Sequence, residues 1–295
     1  MQVFRRVGSI VHISALSALV NVVLLYAFFF ITDEVIVRLG TTQRGIFCVD
    51  PSIQYTMKPS TVTSVQHRVY NISLIVITTF IVEAFRQRIG ASGSVNLKYR
   101  VGSMEVPKYL VTVLTFVGYS QVGYIMNELL VKFVKGFIGR PRPHFMAACQ
   151  PLPIKACESF DPNVYLDPSE YTCSGEPEKV EEARKSFYSG HSTVTMYCAF
   201  WTVLYLQARL KPALRNNVVV AILQTLIMTG GLYICCTRIS DNKHHWSDVL
   251  VGIVVGMGFA SIGANWWGKL FKKVEVGEDA DEFPVNEKEK EKETV

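Results

Sequence analysis

"ISALSALVNVVLLYAFFFI", Ile13 to Ile31, carries no charge over nineteen residues. A bilayer core needs about 20 apolar residues as helix. The run follows Arg5 and Arg6, as a cleaved signal would. It is long for a signal core, and no clear small-x-small cleavage site follows, so it reads as a retained first span. Four similar runs lie further on: Tyr109–Asn127, Ser192–Ala208, Asn216–Thr237 and Val249–Gly268. A weaker one covers Val69–Val82 and continues past Glu83 to Phe85. One buried soluble helix explains one such run, not six. The expected fold is an all-α polytopic membrane protein with six transmembrane helices over residues 1–274.

Charge sets the expected orientation. The N-terminus (Arg5, Arg6), the second connection (Arg86, Arg88, Lys98, Arg100), the fourth (Arg209, Lys211, Arg215) and the exit from the last span (Lys269, Lys272, Lys273) are all basic. By the positive-inside rule both termini are cytoplasmic, and the first, third and fifth connections face outside or into a lumen. The third is also basic, so its charges call for a chemical reason. The net charge of +5 hides an asymmetry: residues 275–295 carry −6, which leaves +11 on the rest. That tail has few apolar residues and reads as a disordered cytoplasmic appendage. Of seven cysteines, Cys198, Cys235 and Cys236 lie in membrane runs. Cys48, Cys149, Cys157 and Cys173 fall on the oxidising side, where disulfides persist; their pairing is left open.

The longest outer connection, Leu130–His191, ends in "EPEKVEEARKSF". Pro177 suits a first helical turn, and Val180, Ala183 and Phe187 form an apolar face. In the last run, Gly252 and Gly256 stand at the spacing that lets helices approach closely. This serves packing within one chain as well as contact between two copies in a homo-oligomer.

Three polar clusters fall at the same, outer ends of the spans: "KGFIGRPRPHF" from Lys135, "FYSGHS" at 187–192, and "RISDNKHHWSD" at 238–248. Lys135, Arg142 and Arg238 are cations at an apolar boundary, costly unless an anion is present. Arg offers a planar fork for phosphate oxygens, and Lys a point charge. Ser189 and Gly190 precede a span, where backbone N–H groups can meet an anion. The bland reading of any one cation is headgroup anchoring.

The histidines favour chemistry. His244 and Asp248 are four apart where a helix starts, which puts them on one face. A carboxylate on one ring nitrogen fixes the tautomer and frees the other to attack. His245 has Val249 at the matching place, so His244 is the expected nucleophile. His191 could protonate a leaving oxygen from across the cradle. Zinc is the competitor, but no H-E-x-x-H is present, and cations seldom ring a zinc site. His12 and His67 read as interfacial; His144 adjoins the cradle with its role open.

Lys135, six residues, Arg142-Pro143; Ser189-Gly190-His191; and Arg238, five residues, His244, three residues, Asp248: this three-part signature resembles the type 2 phosphatidate phosphatase superfamily, which includes the vanadium haloperoxidases. "SFYSGHS", "YLQAR" and "KHHWSDVLVG" are similar to its animal lipid phosphate phosphatase branch. The resemblance implies six spans, a site at the outer or lumenal surface, and a phosphomonoesterase using a phosphohistidine and no metal or other cofactor. His244 would attack, Asp248 orient it, and His191 protonate the leaving alcohol. Lys135, Arg142, Ser189, Gly190 and Arg238 would hold the phosphoryl oxygens. Thr237 stands where the signature commonly has Ser, and Tyr188 where the broad pattern has Pro. The only glycosylation sequon, at Asn71, abuts a span. The implied partners are the bilayer and lipid phosphates (phosphatidate, lysophosphatidate, sphingosine 1-phosphate, ceramide 1-phosphate), not nucleic acid. The plasma membrane is favoured over internal membranes. The alternative, a catalytically silent lipid-binding or scaffolding relative, would have lost a catalytic position, and none is lost.

Overall fold

A computed structural model describes residues 4–7, 10–90, 98–151, 163–214 and 216–271. The tail expected from 275, Lys272, Lys273, Arg215 and Cys157 lie outside the described residues. Strands β1 (Phe4–Val7) and β2 (Ile10–Ile13) lead into α1 (Ala15–Leu39). Ser14 starts this helix, its hydroxyl accepting the Ser17 amide at 3.1 Å. The next connection holds β3 (Ile46–Phe47) before α2 (Ser64–Arg88). A reciprocal cap opens α2: Thr63 Oγ1 accepts the Gln66 amide, and Gln66 Oε1 accepts the Thr63 amide. Strands β4 (Lys98–Val101) and β5 (Met104–Val106) precede α3 (Lys108–Ile138). That helix ends at Gly139, left-handed at φ +60°. Then come α4 (Phe145–Cys149), β6 (Tyr165–Leu166), α5 (Pro177–Ala183) and α6 (Gly190–Tyr205). A π-helical turn (Leu206–Leu210) carries α6 into α7 (Lys211–Leu214), followed by α8 (Asn217–Ser240) and α9 (Trp246–Asn265).

The expected helical membrane architecture is present. α1, α2, α3, α8 and α9 are each long and apolar enough to cross a bilayer. The fourth expected span is α6 with its π turn, at the bundle centre, packed by α9, α8, α2 and α3. Met196, Tyr197, Cys198 and Ala199 are fully buried there. A helix sheathed in protein tolerates polar groups if they are bonded. Thr193 Oγ1 donates to Asn127 Oδ1 at 3.0 Å, and Thr202 Oγ1 to the Cys198 carbonyl at 2.8 Å. α1 is the opposite case: it packs chiefly on α3, and Leu16, Leu19, Phe30 and Val37 are mostly exposed. Such a bare apolar face suits lipid, and the chain is an integral membrane protein.

The glycine spacing in α9 packs the chain on itself. A Cβ at Gly252 would sit 2.8 Å from the Ser189 carbonyl oxygen, and one at Gly256 would strike the Thr193 carbonyl of α6. This pair therefore carries no argument for a dimer. The expected helix at 177 is α5, with Val180 and Ala183 buried. Phe187 is a correction: α5 stops at Ala183, and Phe187 lies beyond its face. Asn71 is fully buried in α2, its Nδ2 facing Thr195 Oγ1 at 3.4 Å. The sequon is thus closed to modification in the folded protein.

The sequence reading foresees no strand, and the structure adds two small sheets. β1, β2, β4 and β5 form one, with β2 and β4 parallel and His12 opposite Arg100. It joins the N-terminal segment to the α2–α3 connection at one end of the bundle. That end also holds a buried ionic knot that makes the second run tolerable as a span. Glu83 accepts from Tyr205 Oη at 2.7 Å and from Arg209 Nε and Nη2 at 2.8 and 2.9 Å. At the other end the first, third and fifth connections interlock. β3 pairs with β6, Cys149 is bridged to Cys173, and the Tyr55 amide donates to the Pro143 carbonyl at 2.9 Å. Cys48 is disulfide-bonded as well.

Candidate active site

The residues proposed from three separate stretches meet at this interlocked end. α3 delivers Lys135 from its last turn, the turn after Gly139 delivers Arg142, and the α6 N-terminus delivers Ser189, Gly190 and His191. Arg238 comes from the last turn of α8, and Asp248 from the first turn of α9. His244 sits in the loop between them, its amide donating to the Arg238 carbonyl at 3.1 Å. The parts share neighbours. A Cβ at Gly190 would lie 3.8 Å from Lys135 Nζ. Lys135 and Arg142 act electrostatically on His244, and Lys135, Arg238 and His244 on His191.

His244 and Asp248 are both buried, with Nδ1 3.8 Å from Asp248 Oδ2. That is ion-pair contact, longer than a hydrogen bond. Nδ1 faces the carboxylate, so Nε2 is the nitrogen left for a substrate. Burial pushes the His244 imidazole well below its usual range; Asp248 opposes this, and Arg142 and Lys135 add to it. Burial thus favours the neutral ring, which keeps a lone pair. His191 Nε2 is buried without a hydrogen-bond partner. At the start of α6 the Gly190 and His191 amides have no intrahelical acceptor. Ser189 Oγ accepts from Ser192 Oγ at 2.9 Å, which leaves its own hydroxyl proton to give.

Carboxylates hold two of the three cations. Arg238 Nη2 donates to Asp241 Oδ2 at 2.7 Å, and Arg142 Nη2 donates to Glu182 Oε1. Asp241 is itself fixed by the Thr61 amide and hydroxyl, at 2.8 and 2.7 Å. Among the described residues the Lys135 ammonium has no hydrogen bond or ion pair; its backbone carbonyl accepts the Gly139 amide at 3.1 Å. An incoming phosphate would meet an ammonium with no directly bonded partner and two guanidiniums braced by carboxylates.

His245 turns away, its Nε2 3.1 Å from the Pro141 carbonyl oxygen. His144 is buried, with Nδ1 2.6 Å from the Asn242 carbonyl oxygen, and so fastens the Arg142 turn to the His244 loop. Sequence reasoning missed four neighbours. His67, read as interfacial, lies against His191, ring centroids 4.3 Å apart and planes tilted by 32°, its Nε2 3.2 Å from the His191 carbonyl oxygen. Ser186 and Arg140 both donate to Asp248, at 2.6 Å each. Asp241 is the fourth.

A sequence-family model described as the PAP2 superfamily matches residues 116–272, more than half the chain. The chain belongs to the PAP2 superfamily, the type 2 phosphatidate phosphatases. Its similarity is to the animal lipid phosphate phosphatase branch. It is 46% identical over 251 residues to the phospholipid phosphatase homolog 1.2 homolog of Caenorhabditis elegans, covering 84% of this chain and 73% of that one. Phospholipid phosphatase 1 of Mus musculus is 37% identical over 232 residues, 78% of this chain and 77% of its own. Phospholipid phosphatase 2 of Homo sapiens is 35% identical over 234 residues, 78% and 75%. No solved structure matches. This PAP2 protein is a membrane phosphatase acting on lipid phosphate monoesters. All eight proposed site residues fall within the matched segment, whereas His67 and Thr61 lie before it.

Proposed function

We propose that this lipid phosphatase cleaves phosphatidate, lysophosphatidate, sphingosine 1-phosphate and ceramide 1-phosphate through a phosphohistidine on His244, without a metal. The observation that carries the reading is the buried His244 with Nδ1 3.8 Å from Asp248 Oδ2, in a setting where Arg142 and Lys135 act on the ring. His244 Nε2 attacks phosphorus as the phosphorus–oxygen ester bond breaks, and His191, protonated once the anionic phosphate offsets the cations around it, gives that proton to the departing alcohol. Water, losing a proton to His191, then attacks the phosphohistidine and frees inorganic phosphate. Lys135, Arg142, Arg238, Ser189 and the Gly190 backbone stabilise the charge on the equatorial oxygens, the main work in phosphoryl transfer. Positive charge comes from side chains already in place: Lys135, Arg142 and Arg238.

The proposed site faces the extracellular or lumenal side, with both termini cytoplasmic and the plasma membrane as the favoured location. Three observations support this: a Cys149–Cys173 disulfide beside the site, basic residues at the other end, and the sheet that gathers β1 and β2 there. Acyl chains would stay in lipid while the phosphate enters the cradle.

The test is phosphate release from phosphatidate by detergent-purified protein with excess chelator. Full activity is expected. His244→Ala should abolish turnover, and His245→Ala should keep most of it; equal tolerance of both overturns the assignment. Intact cells expressing the protein should hydrolyse an added short-chain phosphatidate that does not cross the membrane. Hydrolysis only after permeabilisation would reverse the orientation.

A further inference from the structure

We propose that Ser186 and Arg140 are positioning residues: they hold the Asp248 carboxylate ionised and aimed, ready for the His244 ring as it gains charge. This rests on the reading of His244 as nucleophile. Asp248 is fully buried, yet it has donors on both oxygens. Oδ1 accepts from Arg140 Nη1 at 2.6 Å; Oδ2 accepts from Ser186 Oγ at 2.6 Å and from the His245 amide at 3.1 Å. The two supports are tied together, since the Ser186 amide donates to the Arg140 carbonyl at 2.9 Å. A hydroxyl donating to a carboxylate oxygen favours the ionised form. His244 Nδ1, meanwhile, is buried, has no hydrogen bond and stands 3.8 Å from Oδ2. A movement of about 1 Å completes that bond. Attack through Nε2 turns the neutral ring into a cation; the Nδ1 proton stays on nitrogen and is donated to Oδ2. Ser186 thus keeps the acceptor fixed while the donor moves.

The two supports differ in weight. Ser186 is fully buried. Arg140 is about one-third exposed and also lines a pocket of about 390 Å³ with Arg44, Asp50, Tyr165 and His245. Solvent there screens its charge, so the serine should matter more.

Ser186→Ala in the full-length protein should lower kcat about tenfold with KM changed less than about twofold. Ser186→Thr should recover part of the loss, and Arg140→Gln should lose less than Ser186→Ala. If alanine does not fold, Ser186→Cys keeps the volume and a weak donor and should give an intermediate kcat. Wild-type kcat in Ser186→Ala overturns the proposal, as does a rise in KM alone. A kcat loss that follows the fall in Tm across all variants, without recovery by threonine, also overturns it. The controls are separate: turnover in His244→Ala would defeat the nucleophile reading itself, whereas an inactive His244→Ala beside an unimpaired Ser186→Ala defeats only this proposal.

Discussion

His244 and His245 are neighbours with different partners, a carboxylate for one and the Pro141 carbonyl for the other. Both are pushed below the usual histidine range, burial being the leading cause, and so is His144. The consequence for stability has a definite sign. Where the folded value is depressed, the unfolded chain binds protons that the folded chain refuses. Stability therefore falls as pH drops below the unfolded value of about 6.5. The melting temperature in detergent should be lower at pH 5.5 than at pH 7.5, and His144→Asn should flatten that difference. An unchanged slope would mean that His144 is protonated in the folded protein. At this scale the sequence was legible where partners are close along the chain. His244 and Asp248 are four residues apart, and the SGH triplet is contiguous. Ser186 and Asp248 are 62 residues apart, and His67 and His191 are 124 apart. No local spacing predicts such pairs, because only helix packing brings them together. Arg140 stood in plain view in "GRPRP", but nothing local says which arginine pairs with Asp248 and which with Glu182.

At the scale of elements, α6 and α9 meet through glycine. Alanine at Gly256 would drive a methyl group into the Thr193 carbonyl, backbone that has nowhere to go. Gly256→Ala should cost about 1–3 kcal/mol of stability by overpacking, and so lower the melting temperature and the activity together. Gly258, on the same helix, has nothing within 4 Å of its added Cβ. Gly258→Ala should be neutral or stabilising by up to roughly 1 kcal/mol, since helix propensity alone acts there. Thermal unfolding of the two variants side by side checks the contrast. The helices themselves were legible as apolar runs of membrane-spanning length. The small sheets were not: strands of two to four residues leave too short a pattern, and their pairing is long-range.

Across the whole molecule the two ends divide the work. One end gathers the cradle; the other closes the bundle through Glu83, Tyr205 and Arg209. Glu83→Ala leaves Arg209 without its carboxylate next to the membrane core. Breaking a buried pair from one side costs about 3–5 kcal/mol. The variant should unfold at lower temperature, yet what remains folded should keep the wild-type KM; a changed KM would mean that the knot reaches the distant site. The broad picture of six spans and a polar surface site follows from hydropathy and charge. The burial of α6 follows only from which helices surround it.

The link from Thr61 through Asp241 to Arg238 has a practical meaning. The family signature occupies 116–272, and that interval invites cloning as a minimal catalyst. Cut there, Asp241 would lose the amide and hydroxyl that brace it, and His191 would lose the ring packed against it. Every signature residue would survive in such a fragment, and the arginine and imidazole they depend on would be left unsupported.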